Sequence, residues 1–272
     1  MAKELYKNIL KRLPSALVMA VSIFGALYSQ NLIIISALVI LIAALLLHEW
    51  LQLSKTQINL AQISFLITPI LFSIYLGEIF LKYFLVAALI FWIIYTISLI
   101  SRNIHLIPGI SFNNNYLGIF LIQSFSFGAI SILLFLNFLE INNFFILFLI
   151  LFCTALIDVS AYLVGSAIGK TPLFQELSPN KTLEGLIGGL IAVLVFILIM
   201  YWTELITINL LLLIALSMPF AFVGDYFESQ LKRNQQLKDS GSLIPGHGGA
   251  WDRLDSHISV IMVFAPICIW VS

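Results

Sequence analysis

The sequence predicts an all-α polytopic membrane protein, a bundle of about nine transmembrane helices with a polar cavity on the cytoplasmic side. Three observations predict it. Hydrophobic residues make up 61% of the 272 and charged residues only 10%, against roughly 45–50% and about 25% in soluble domains, so most of the surface must face lipid. Apolar stretches close to the roughly 20 residues that cross about 30 Å of hydrocarbon recur along the chain. Lys and Arg collect at alternate ends of these stretches, as they do in cytoplasmic loops.

The stretches are 13–28, 32–50, 60–76, 81–100, 116–136, 144–168, 183–202, 208–227 and 257–271. A basic segment with Lys3, Lys7, Lys11 and Arg12 precedes the first; it resembles a signal n-region, but no small-residue cleavage site follows, so it reads as a retained cytoplasmic start. The first two stretches are joined by a tight turn, and the connections near 29–31, 77–80, 140–143 and 203–207 are brief and poor in chemistry. The N-terminus and the loops after the second, fourth, sixth and eighth stretches hold 12 of the 13 Lys and Arg, with Lys82 alone on the other side. That asymmetry puts the N-terminus and the two longest polar loops in the cytoplasm and the C-terminus opposite, in a bacterial-type inner membrane. Cys153 and Cys268 lie inside apolar stretches and read as packing residues. No repeat or linker divides the chain, so it reads as one membrane domain: 1–115 supplies hydrophobic helices, and 116–272 carries helices and the loops with the active site.

The densest polar stretch is 224–256, where Asp225, Glu228, Asp239, Asp252 and Asp255 stand beside Lys232, Arg233, Lys238 and Arg253, with His247 between. Hard carboxylate oxygens, cations and glycines together suit a metal-bound polyphosphate. Asp225, Glu228, Ser229 and Lys232 share one helical face. Asp252 and Asp255 stand just before the ninth stretch, so the two helix ends can bring acids together, and a metal between Asp225 and Asp252 is the expected arrangement. Gly246, Gly248 and Gly249 allow a tight turn and offer N–H groups to an anion. A wet juxtamembrane loop would also be polar, and for any one residue, His247 included, that plain reading stands; for the whole string it is poor.

The second polar region runs from Asp158 to Glu184. Asp158 lies about 15 Å below the cytoplasmic boundary, where a lipid-facing acid costs roughly 2.5–3.5 kcal/mol. It should therefore face a polar cavity, or else bond to a neighbour such as Ser160 or Tyr162. Ser178, Asn180, Lys181 and Thr182 place a turn, a cation and hydroxyls before a helix start, which suits an anion and equally suits ordinary capping by Thr182. Gly185, Gly188 and Gly189 form a small-residue face for close helix packing, and such faces are compatible with a homodimer. His48, Glu49 and Trp50 read as an interfacial anchor without chemistry.

The run Ser229, Lys232, Arg233, Lys238, Asp239, Ser240, Pro245, Gly246, His247, Gly248, Gly249, Asp252, Arg253, Asp255 resembles the signature of the phosphatidate cytidylyltransferase (CDP-diacylglycerol synthase) family nearly position for position. Two upstream runs, from Asp158 to Lys170 and from Ser178 to Gly189, are similar to that family's as well, so the resemblance covers roughly the C-terminal half. Ser160 and Ser166 depart from the family's usual Gly and Arg, and Trp251 replaces a more usual aliphatic residue with little expected effect.

The resemblance implies attack by the phosphate of phosphatidate on the α-phosphorus of CTP, giving CDP-diacylglycerol and pyrophosphate. It implies a Mg2+ centre, with K+ as a second metal, on Asp225 and Asp252, and catalytic roles for Lys232 and Asp239. Asp158, Ser178, Asn180, Lys181, Thr182, Arg233, Lys238, His247, Gly248, Gly249, Arg253 and Asp255 would bind the substrates. The partners are then CTP, phosphatidate and the bilayer, with no nucleic acid. A CTP-dependent lipid or polyprenol kinase is the nearest rival, and an ion-coupled transporter using Asp158 a more distant one.

Overall fold

A computed structural model of the chain describes residues 18–54, 56–103, 107–135, 141–237, 240–241 and 248–271. The expected residues Lys238, Asp239 and His247 lie outside the described residues, as does the basic segment ahead of residue 18.

The protein is an all-helical polytopic membrane protein. In chain order the helices are α1 (Val18–Tyr28), α2 (Leu32–Ser54), α3 (Leu60–Leu76), α4 (Glu78–Ile100), α5 (Asn115–Phe135), α6 (Asn143–Ile168), α7 (Leu183–Trp202), α8 (Ile208–Ser217), α9 (Pro219–Asn234) and α10 (Trp251–Val271). The described part of every predicted apolar stretch falls on a helix, but only seven helical segments among the described residues are long and apolar enough to cross a membrane, α8 and α9 counting as one. The 17 residues of α3 reach only about 25 Å.

Two boundaries differ from the hydropathy reading, and both matter for the site. The eighth stretch breaks at Met218, where Pro219 opens α9 at its first position, and the helix then runs on through the polar residues to Asn234. Proline lacks the N–H that the first turn leaves unbonded anyway, so it starts a helix as readily as it interrupts one. The helix of the ninth stretch, α10, begins at Trp251, so Asp252 and Asp255 sit within its first two turns. Hydropathy ends a span where polarity begins, whereas backbone hydrogen bonding continues.

α10 and α5 occupy the centre: Val260 to Ala265 are all buried, and α5 buries Leu121, Phe125, Ala129 and Ile132. Around them the outward faces of α3 and α7 expose Ile67, Ile70, Ile74, Ile191 and Leu198, which is stable only against lipid. Cys153 and Cys268 are buried and free, as packing residues should be. The glycine face is consumed inside the chain. A Cβ on Gly185 or Gly189 would stand 2.8 Å from the Ala161 carbonyl or 2.9 Å from that of Ile157, so α6 and α7 meet backbone to backbone and those glycines give no argument for a pairing face. Lys82, the cation on the far side, pairs with Glu78 at 2.9 Å.

Candidate active site

α9 and α10 approach most closely at Gly224, where an added Cβ would overlap the Ser259 hydroxyl and the Asp255 carbonyl oxygen. That close approach has a chemical consequence. It brings Asp225 and Glu228, one turn apart on α9, against Asp255 on α10, with carboxylate oxygens of all three within 4.8 Å of one another. Glu228 is buried, and among the described residues its Oε1 has no hydrogen-bond partner. Behind the group the wall is apolar, built from Trp92, Leu121, Phe227, Trp251 and Ile258. In such a low-dielectric setting like charges repel strongly, so three adjoining acids need cations.

Two lysines supply part of that charge. Lys232 Nζ lies 2.5 Å from Glu228 Oε2 and donates to Asp252 Oδ1 at 2.8 Å. Lys181 pairs with Asp225 and sits 4.6 Å from the centroid of the Tyr226 ring. Asp158 borders the group from α6, accepting from Ser256 Oγ at 3.3 Å and feeling the charges of Asp225 and Lys181. Its partner is thus on another helix, neither Ser160 nor Tyr162. Among the described residues five carboxylates therefore meet two ammonium groups, and a buried oxygen without a partner there suits a further cation. Asp225, Glu228 and Asp255 are a fitting donor set for a hard metal cation.

The sequence paired Asp225 with Asp252. The structure does join the two helix ends, but the carboxylates within reach of one cation are Asp225, Glu228 and Asp255, while Asp252 stands beside Glu228 with its oxygens in use. Oδ1 takes Lys232, and Oδ2 takes the N–H groups of Ser240 and Gly249, both at 2.9 Å. Asp252 thereby ties Ser240 and Gly249 to the first turn of α10. Gly248 has φ +88°, and its Cβ would stand 2.7 Å from Asp252 Oδ2, so the glycine is required here twice over. The loop N–H groups do meet an anion, and it is one of the chain's own carboxylates.

Lys181 reaches the cluster because the loop before α7 folds back on itself. Leu173 N donates to Lys181 O at 3.1 Å, Leu183 N to Thr171 O at 2.8 Å, and Thr182 Oγ1 caps α7 by accepting from Gly185 N at 3.2 Å. Arg233 Nε donates to Leu177 O at 3.3 Å, and Phe174 packs edge-on against Tyr226, so α9 holds that loop in place. Ser178 and Asn180 lie on the loop's turn, with Asn180 exposed, and Arg253 is an exposed residue in the first turn of α10.

Glu49 and Trp50 are not an interfacial anchor, because α2 continues to Ser54 and buries both. Trp50 packs on Trp251 at 5.1 Å and on Phe112 at 4.8 Å, and Trp251 Nε1 donates to Leu46 O at 3.0 Å. An aliphatic residue at 251 could not make that bond. Glu49 is 1% exposed and accepts from Ser240 Oγ and from Ala250 N. Hydropathy gave no signal for it, because Glu49 stands at the end of its apolar stretch, where an acid reaches water at little cost, whereas Asp158 stands ten residues inside its own.

Compared with known proteins, residues 10–270 match the model of the Cytidylyltransferase family. The chain is similar to phosphatidate cytidylyltransferases of Bacillus subtilis strain 168, 42% identical over 107 residues covering 38% of this chain and 40% of the relative. It is also similar to that of Staphylococcus haemolyticus, 44% identical over 109 residues covering 39% and 42%. A third, from Staphylococcus aureus strain COL, is 42% identical over 117 residues covering 42% and 44%. The chain thus spans about two fifths of the length of the curated relatives it matches.

Proposed function

The chain belongs to the Cytidylyltransferase family, and we propose that it is a phosphatidate cytidylyltransferase of a bacterial inner membrane, converting CTP and phosphatidate to CDP-diacylglycerol and pyrophosphate. A non-bridging oxygen of the lipid phosphate forms a bond to the α-phosphorus of CTP, and the bond from that phosphorus to the β-phosphate oxygen breaks, its electron pair leaving with pyrophosphate. The nucleophile is already ionised, so no side chain need attack or remove a proton.

The observation that carries this reading is the partly buried cluster of Asp225, Glu228 and Asp255 with Lys181 and Lys232 beside it. Two anionic substrates repel each other, and catalysis here consists mainly of holding them together and neutralising charge. Asp225, Glu228 and Asp255 would hold Mg2+, with K+ as a second cation. When bound, the metal withdraws charge from the phosphate oxygens. Lys181 and Lys232 hold the acids in register, the buried ammonium of Lys181 standing between Asp225 and the Tyr226 ring. Ser178, Asn180, Thr182 and Arg233 on the neighbouring loop and helix line the nucleotide's approach, and Asp158 lines the floor.

The basic-residue asymmetry supports an orientation with the site toward the cytoplasm, where CTP is found, and the exposed apolar faces keep acyl chains in lipid. The deciding experiment uses the purified chain in detergent with phosphatidate, Mg2+ and CTP labelled on cytosine. Label in the lipid fraction with matching release of pyrophosphate is the expected result. Label retained in soluble CDP would identify a lipid kinase, and no consumption of CTP would refute nucleotide chemistry altogether.

A further inference from the structure

Glu49 sits on α2, far in sequence from every other acid of the site, yet its carboxylate is buried against the start of α10. A buried carboxylate is costly unless each oxygen is bonded, and here Oε1 takes the Ser240 hydroxyl and Oε2 the Ala250 N–H. The N–H groups of successive residues are divided between two acids: Gly249 donates to Asp252 and Ala250 to Glu49. Ser240 is divided likewise, its N–H on Asp252 and its hydroxyl between the two carboxylates. Side chains are kept out of this space. A Cβ on Gly241 would stand 3.0 Å from Glu49 Oε1, and one on Gly249 would overlap it.

We propose that Glu49 is a positioning residue of the active site, clamping the start of α10 and the backbone at Ser240 so that Asp252 holds Lys232 against Glu228. The chain of contacts runs from Glu49 through Ser240 to Asp252, then through Lys232 to the acidic cluster. Helix packing alone does not call for an acid at this place, because Trp50 against Trp251 and the bond from Trp251 Nε1 to Leu46 O already join α2 to α10. The anionic oxygens instead face the positive end of α10, where N–H groups lack partners within the helix. Holding a helix end in one position is what a negative group there can do and an apolar one cannot.

The proposal rests on the cytidylyl-transfer reading for its turnover test and on geometry alone for a second test. Both use the full chain in detergent, comparing wild type, Glu49→Ala and Glu49→Gln. In Glu49→Ala, kcat with CTP and phosphatidate should fall by up to about 100-fold, the loss that a misplacement near 1 Å brings, with less change in the KM for either substrate. Amide hydrogen exchange should quicken in the 248–254 segment while the rest of α10 keeps native protection. Glu49→Gln, whose amide oxygen still accepts from Ala250, should recover most of both. A folded Glu49→Ala with native turnover and native exchange overturns the proposal, and so does exchange quickened through the whole bundle, which marks a packing residue only. Should Glu49→Ala not fold, Ser240→Ala removes the hydroxyl between the two acids, and native turnover with native exchange there overturns it equally. If the wild type leaves phosphatidate unconverted, the functional reading falls while the exchange result still decides the role of Glu49.

Discussion

Replacing Gly224 by alanine tests whether the meeting of α9 and α10 makes the site. In an ordinary helix this change stabilises, since alanine exceeds glycine by about 1 kcal/mol in helix propensity. Here the new methyl group would overlap both Ser259 Oγ and the Asp255 carbonyl oxygen, and ordinary contact distances return only if the helices part by about 1 Å. Overpacking of that kind costs about 1–3 kcal/mol, so the net change is destabilising by up to about 2 kcal/mol once the propensity gain is subtracted. The larger effect is chemical. Asp225 lies next to position 224 and Asp255 is the residue whose carbonyl is struck, so the parting separates the acids themselves, and a misplacement near 1 Å costs about 100-fold in rate. Removing one obstacle with Ser259→Ala should restore little, because the Asp255 carbonyl is backbone and remains. The assay is CDP-diacylglycerol formation by detergent-purified protein beside its thermal unfolding. A Gly224→Ala protein with unchanged or raised unfolding temperature and native turnover would refute the close approach as the origin of the cluster.

Lys232→Met leaves Glu228 and Asp252 buried without their shared cation; breaking such a pair costs about 3–5 kcal/mol, so denaturant or thermal unfolding should reveal a large loss together with loss of turnover. Chelation by EDTA should abolish turnover and Mg2+ restore it, while Asp255→Asn should raise the Mg2+ concentration needed for half-maximal rate, read by metal titration, and an unchanged titration would remove Asp255 from the ligand set. Gly118→Ala sets a methyl group into the Trp50 indole and should lower stability by about 1–3 kcal/mol, read as a fall in the thermal unfolding temperature.

Much of this protein was legible before any coordinates. The excess of apolar residues named lipid as the solvent, and the spans they defined fall on helices, seven of them long enough to cross. Helical spacing alone put Asp225, Glu228 and Lys232 on one face of α9, and that face does carry the cluster. These features are local: a period of 3.6 residues and a mean hydropathy need only the neighbours along the chain. The partners on other helices were not legible. Asp252 and Asp255 are three residues apart and chemically alike, yet Asp255 joins Asp225 and Glu228 while Asp252 turns its oxygens to Lys232, Ser240 and Gly249. Only the rotation of α10 against α9, set by the glycine at 224, distinguishes them. Glu49 and Trp50 show the same limit from the other direction, since hydropathy ended α2 beside them and only packing against α10 showed both to be buried. Sequence thus determined the solvent, the helices and the face that carries charge; tertiary structure decided which charges meet, because contacts between helices distant in the chain depend on approach and rotation that no local pattern encodes.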